Sequence, residues 1–188
     1  MAIMAKSSGE SFDRELPPSG LQAAICSKVF DLGMQVNEYQ GERKIQHKIL
    51  IVWELSATMT TGEYQGKRFV VHKEYTNSLH EKATLRKDLE SWKGKSIPED
   101  VAKEGVDLEK FVKVPATLNI QHKTSKSGNE YAIVTAVMPE QDNAPMLVPE
   151  LPEDWCPKWI ENKMAEALTD DRAKAGEVGK PFEDDVPF

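Results

Sequence analysis

The side chains able to do covalent or metal chemistry are few, and their spacing suits none of it. Four histidines, His47, His72, His80 and His122, and two cysteines, Cys26 and Cys156, form no zinc-ligand pattern. Gly94-Lys95-Ser96 ends as a phosphate-cradling P-loop ends, but the glycine required five residues before Gly94 is Leu89, in a stretch of helical periodicity. His72-Lys73-Glu74 matches the first half of a zinc-deaminase signature, and no Pro-Cys-x-x-Cys follows to complete it. There is no Gly-x-Ser-x-Gly elbow to present a nucleophilic serine. Carboxylates are plentiful but no spacing singles any out, so a metal-dependent nuclease is a minor alternative. The expectation is a protein that binds and does not catalyse, with no cofactor and no metal.

Binding chemistry is better represented. Single-stranded nucleic acid is held by cations that follow its phosphates and by aromatic faces that stack its bases. Arg43, Lys44, Lys48, Lys67, Arg68 and Lys73 are interleaved with Tyr39, Trp53, Tyr64, Phe69 and Tyr75, and Gln40 to Lys95 holds 11 basic and 7 acidic residues. Lys123 and Lys126 fall in a later loop. Tyr39 and Tyr64 also fall in loops, where a large aromatic has little to do unless it contacts something. Trp53 shares a face with Ile45, Ile49 and Ile51 and reads as core before it reads as platform, and Tyr75 fits either role. Lys82, Arg86 and Lys87 read as a solvated helix face, and Trp92 completes an apolar stripe.

These residues need a β framework. Leu21 to Leu32 reads as a strand with an irregularity near Ser27, followed by a loop from Gln35 to Gly41. Lys44 to Leu55 alternates in strand fashion, with Ile45, His47, Ile49, Ile51 and Trp53 on one face and Gln46, Lys48, Leu50, Val52 and Glu54 on the other. After a polar loop from Ser56 to Gly66, Lys67 to Thr76 alternates again. Ser78-Leu79-His80-Glu81 has capping-box form, Leu85, Leu89 and Trp92 follow at helical steps, and Gly94 is a stop signal. Pro98 to Phe111 reads as a second short helix or turn. Val114 to His122 and Tyr131 to Met138 read as strands joined through the loop from Thr124 to Asn129.

Three strands, a helical insertion and two strands is the order of the OB-fold, whose strands two and three and adjoining loops bind oligonucleotides or oligosaccharides. The expected fold class is therefore mainly β: an OB-like five-stranded Greek-key barrel with a helical insertion between strands three and four. Another small antiparallel barrel or an α+β sandwich is the alternative. Residues 1–20 read as a flexible leader, 21–139 as the OB-like nucleic-acid-binding domain, and 140–168 as a Pro-rich extension. In that extension Trp155, Trp159 and Ile160 are expected to dock a short helix onto the barrel. Residues 169–188 read as a disordered acidic tail.

Length and charge agree with this division. The chain has 188 residues, 24 Lys plus Arg against 31 Asp plus Glu, and a net charge of -7. The excess lies in Glu140 to Phe188, with 13 acidic and 5 basic residues, so the preceding body is balanced and free to bind an anion. No apolar run approaches the length of a membrane span, and the beginning lacks the features of a secretory signal, so no membrane partner and an intracellular address are expected. An exposed barrel edge or the Trp155 to Ile160 segment offers a homodimer contact.

Two resemblances sharpen the expectation. The chain ends Phe182-Glu183-Asp184-Asp185-Val186-Pro187-Phe188, which resembles the acidic tip of bacterial single-stranded DNA-binding proteins. As a peptide ligand, Phe188 would fill an apolar pocket while its carboxylate, Asp184 and Asp185 meet basic groups on a partner, with Val186 and Pro187 between. In the body, Leu16-Pro17-Pro18-Ser19-Gly20, Asp31-Leu32-Gly33, Trp53-Glu54-Leu55 and Tyr75-Thr76-Asn77-Ser78-Leu79-His80-Glu81-Lys82 are similar to a family of small bacteriophage single-stranded DNA-binding proteins. Leu85-Arg86-Lys87-Asp88-Leu89 and Ser91-Trp92-Lys93-Gly94 continue the likeness, which spans about Leu16 to Pro139. Together the resemblances imply a protein of the infected bacterial cytoplasm that coats single-stranded DNA. They also imply that it recruits replication or recombination enzymes through its end. The alternative is a phage replication or recombination adaptor that touches DNA weakly.

Overall fold

The computed structural model describes residues 15–39 and 42–168, without the side chains of residues 38 and 39. Most of the expected leader lies outside the described residues. So does all of the expected tail, with its tip Asp184, Asp185, Val186, Pro187 and Phe188.

Five antiparallel strands form one sheet: β1 (Gly20–Tyr39), β2 (Glu42–Thr58), β3 (Arg68–Thr76), β4 (Pro115–Thr124) and β5 (Glu130–Met138), in the order β3-β2-β1-β4-β5. Between β3 and β4 lie α1 (Thr84–Lys93), the short α2 (Glu99–Glu104) and a 3-10 turn at Leu108–Phe111; α3 (Lys158–Ala165) follows β5. The protein is thus mainly β, with the insertion where the strand order requires it. The sheet is curled but not closed by hydrogen bonds: β3 and β5 are its edges, they approach each other, and α1 packs on both.

The curl originates in β1. Its register against β2 shifts between Cys26 and Lys28 and again between Asp31 and Gly33, so Ser27 and Leu32 are extra residues. A bulge bends its strand and increases its twist, which lets one strand pair with β4 over Gly20 to Ile25 and with β2 over Ala24 to Tyr39. The first shift matches the irregularity expected near Ser27. The loop expected over Gln35 to Gly41 is instead strand as far as Tyr39, leaving residues 40 and 41 between β1 and β2. Residues 35–39 and 42–46 form a two-stranded ribbon beyond the end of β3, where no apolar period marks a buried face.

The main core lies between the sheet and the insertion. Ile49, Ile51, Trp53 and Leu55 of β2 meet Phe69, Val71 and Tyr75 of β3 and Leu85, Leu89 and Trp92 of α1. Trp92 stacks obliquely between Trp53 and Phe111 and donates its indole N–H to the Pro115 carbonyl at 2.7 Å. Gly94 ends α1 in the left-handed region (φ 65°), as its position implies. The capping box does not form. The helix starts at Thr84 behind Ala83, while the Ser78 hydroxyl accepts the His80 N–H at 3.2 Å in a local turn that competes with helix.

Candidate nucleic-acid interface

The other face of β2 is also buried, and this decides which surfaces remain for a ligand. Leu50 and Val52, with Leu32 from the second bulge of β1, form a separate apolar cluster closed by Ile160 of α3. Phe30, Val70, Leu151, Trp155, Cys156 and Met164 pack around it. The extension therefore runs as a strap across the outer face of β1, β2 and β3, as the sequence anticipated for Trp155 and Ile160. With Ile160 buried and Trp155 against Phe30, the segment expected to offer a dimer contact is engaged within the chain.

Polar contacts hold the strap in register. Glu54, 1% exposed, accepts hydrogen bonds from the Ser27 hydroxyl (2.5 Å), the Glu150 N–H (2.9 Å) and the Leu151 N–H (3.1 Å). Arg68 donates to the Val148 carbonyl at 2.8 Å and pairs with Glu150 at 3.0 Å. Lys28 donates to the Glu153 carbonyl, Lys163 pairs with Glu74, and the Leu168 N–H reaches the Met34 carbonyl. At roughly 1.5–3 kcal/mol per buried aliphatic side chain, exposing Leu32, Leu50, Val52 and Ile160 would cost on the order of 6–12 kcal/mol. That is the scale of a whole domain's stability, about 5–15 kcal/mol. The strap is part of the fold.

Several expected contact residues are engaged within the fold. Trp53, Phe69 and Tyr75 are core side chains, 0%, 5% and 3% exposed, with no ring face for a base. Tyr75 donates its hydroxyl to Asp88 at 2.8 Å; burial, reinforced by that carboxylate, pushes its ionisation far up. Lys73 is neutralised by the same Asp88 at 2.6 Å, and Arg68 is held by the strap. Lys48 donates to the Thr76 hydroxyl at 2.9 Å, and its pKa is lowered by burial and by Lys163 against the opposing pull of Glu74. Arg86, read as part of a solvated face, is buried and bonded to Glu90, Glu99 and the carbonyls of Leu79 and Ile97.

The remaining candidates divide between two places. Arg43 and Lys44 are exposed near the tip of the β1–β2 ribbon, in register with Glu38 and Asn37. Tyr39 lies there too, at the end of a strand and not in a loop. At the opposite end of β1, the β2–β3 loop carries Tyr64, 60% exposed, and Lys67; the β4–β5 hairpin carries Lys123 and Lys126. Lys123 belongs to β4, not to the loop, and pairs in register with Tyr131 of β5, 44% exposed. Tyr131, which the sequence reading did not single out, stands near the start of β5 beside that lysine-bearing hairpin.

The two loops are tied together by the segment before β1. The Glu15 carboxylate accepts the N–H and hydroxyl groups of both Thr60 and Thr61 at 2.8–3.1 Å; these bonds outweigh its burial and lower its pKa. Two residues on, the Pro17 carbonyl lies 2.8 Å from His122 Nε2 in β4. Two residues of extended chain span about 7 Å, so these anchors hold the β2–β3 loop beside the outer end of β4. The loop is itself fastened, Met59 N–H to the Lys67 carbonyl and Gly66 N–H to the Met59 carbonyl, both at 2.8 Å.

Among the described residues no group of three His, Cys, Asp or Glu is placed to hold a metal, and no helix is long and apolar enough to cross a membrane. No family model matches the chain, and no curated protein matches it. The likenesses to phage and bacterial single-stranded DNA-binding proteins therefore rest on the residues that carry them.

Proposed function

We propose that this chain is a single-stranded DNA-binding protein built on an OB-like barrel. In this reading it coats and protects single strands in the cytoplasm of a phage-infected bacterium. It makes and breaks no bond, and it recruits replication or recombination enzymes through Asp184 to Phe188. The observation that carries the reading is the strand order β3-β2-β1-β4-β5, with the helical insertion between β3 and β4 and the two edge strands approaching each other. That arrangement is one step short of the OB closure. Exposed tyrosines and lysines on the loops supply suitable chemistry.

The test is fluorescence anisotropy of a labelled oligothymidylate, with matched duplex as control, over a range of salt. Preference for the single strand, with log K falling by about 0.7 per phosphate neutralised as log salt rises, supports the reading. A second reading, a phage adaptor with weak DNA binding, is favoured by one feature: the strap covers the sheet face that OB-folds give to their ligands. It predicts no appreciable binding at any salt.

A further inference from the structure

We infer that the start of the strap, Ala144 to Glu150, is a docking strand for a second protein, one that offers apolar pockets rimmed by lysine or arginine. The site is separate from the tip Asp184 to Phe188 and makes no use of the loop and ribbon cations, so it stands whether or not the chain binds single strands.

Ala144-Pro145-Met146-Leu147-Val148-Pro149 is apolar at every position, yet Met146 is 93% and Val148 66% exposed. Exposure alternates: Met146, Val148 and Glu150 are exposed, while Leu147, Pro149 and Leu151 are half-buried. That is the period of a strand laid on a surface. Its inner row is anchored, Leu147 lining a groove with Ile25 and Pro115, and Leu151 packing on the cluster closed by Ile160. The backbone is fixed as well, through the Ala144 N–H to the Gln141 carbonyl at 2.9 Å, Arg68 on the Val148 carbonyl, and Glu54 on the Glu150 and Leu151 N–H groups. Between these anchors the Met146, Leu147 and Val148 N–H groups make no hydrogen bond among the described residues. Strand addition uses such a segment: backbone bonds give affinity, pockets for alternate side chains give specificity, and a segment already held in shape loses little freedom on binding.

Charge selects the occupant. From Pro139 to Pro157 there are five acids, Glu140, Asp142, Glu150, Glu153 and Asp154, and no basic residue. Around this stretch Arg68 is paired with Glu150, Lys28 donates to the Glu153 carbonyl, and Lys113 lines the same groove as Glu140 and Asp142. The acidic balance disfavours phosphates. It also disfavours a second copy laid strand to strand, which would bring the same acids face to face across a two-fold axis. A partner surface with a cationic rim is the complementary one.

The experiment selects peptides on the full chain from a random dodecapeptide display library and measures the enriched ones, fluorescein-labelled, by anisotropy. The peptides should alternate apolar residues and carry Lys or Arg beside them. Met146→Ser with Val148→Ser should weaken their binding by at least about tenfold, with the urea midpoint unchanged because both side chains are exposed. Glu140→Gln with Asp142→Asn should weaken it by about threefold, and removal of Asp184 to Phe188 should change it by less than about twofold. Oligothymidylate binding by the serine variant should equal the parent's, so failure of this site and failure of the DNA reading are seen separately. Selection of no peptide, or of peptides that lack basic residues or bind the serine variant at full strength, would overturn the docking strand. A dimer of the parent in sedimentation that the serine variant abolishes would overturn the assigned occupant in favour of a second copy.

Discussion

Replacing Ile160 with alanine tests whether the strap is a structural layer or a loosely laid segment. Ile160 is wholly buried among Leu32, Leu50 and Val52, which belong to β1 and β2, so its side chain is the part of α3 that the sheet grips. Truncating such a side chain removes its burial and leaves a void, at a cost of about 2–5 kcal/mol. If the strap opens as a unit ahead of global unfolding, a loss of 3 kcal/mol raises its opening equilibrium by about 150-fold. The same factor should appear in hydrogen-exchange labelling of the Glu150 and Leu151 N–H groups, which the buried Glu54 carboxylate holds. If strap and barrel unfold together, the loss should appear instead in the urea midpoint. Val148→Ala is the control: its side chain is 66% exposed in the same strap, so its loss should cost less than about 0.5 kcal/mol. Ile160→Ala with unchanged midpoint and labelling, or Val148→Ala as damaging as Ile160→Ala, would refute the argument that the β1–β3 face is closed.

Gly33 has φ 67° and its missing Cβ would sit 2.8 Å from Ala167 Cβ, so Gly33→Ala should destabilise by more than the roughly 1–2 kcal/mol of the left-handed backbone alone. Adding Ala167→Gly should recover only the excess in urea unfolding. Burial pushes the Cys26 thiol up to about 12, leaving roughly one thiolate in ten thousand at pH 8, so native protein should show one slowly reacting thiol, Cys156, and unfolded protein two. Because Tyr75 has its pKa raised by burial and by Asp88, its share of the stability is complete below the unfolded tyrosine value of about 10 and is lost as pH rises above it. Tyr75→Phe, which cannot ionise, should flatten the alkaline limb of a stability profile measured between those conditions and neutral pH.

Much of the architecture was legible because it is written in period. The alternation in β2 and β3, the helical stripe Leu85, Leu89 and Trp92, and the αL stop at Gly94 each express one local rule; β2 and β3 formed within a few residues of their expected bounds, and α1 ended where expected but began at Thr84, well after the Ser78 capping box. The ribbon beyond Met34 was not legible, because Gln35, Val36 and Asn37 are not buried and a strand without a core has the composition of a loop. The candidate site was the least legible part. Whether Arg68 or Lys73 is free depends on Glu150 and Asp88, which are 82 and 15 residues away in the chain. One signal was available and went unused: Ile49 to Trp53 is apolar at every position, the mark of a strand covered on both sides. It implied a second layer over β2, and among the described residues that layer is supplied around Leu151, Trp155 and Ile160.

The same burial changes what the charge pattern means. Counted along the chain, Gln40 to Lys95 looks like a basic strip, but Lys48, Arg68, Lys73 and Arg86 are each committed to partners within the fold. On the β2–β3 loop and the β4–β5 hairpin Lys67, Lys123 and Lys126 stay exposed, and a single strand neutralised by these three would show a salt slope of only about -2. A strand running along the sheet and displacing the strap would recover Lys28, Lys48 and Arg68 as well and show a slope near -4, but it would first have to expose the cluster around Ile160. In the proposed reading three charges would make a modest site for one barrel, so coating a long strand by this route would require many copies side by side, each holding a short stretch. The size of the salt slope therefore reports which surface the DNA has taken, independently of how tightly it binds.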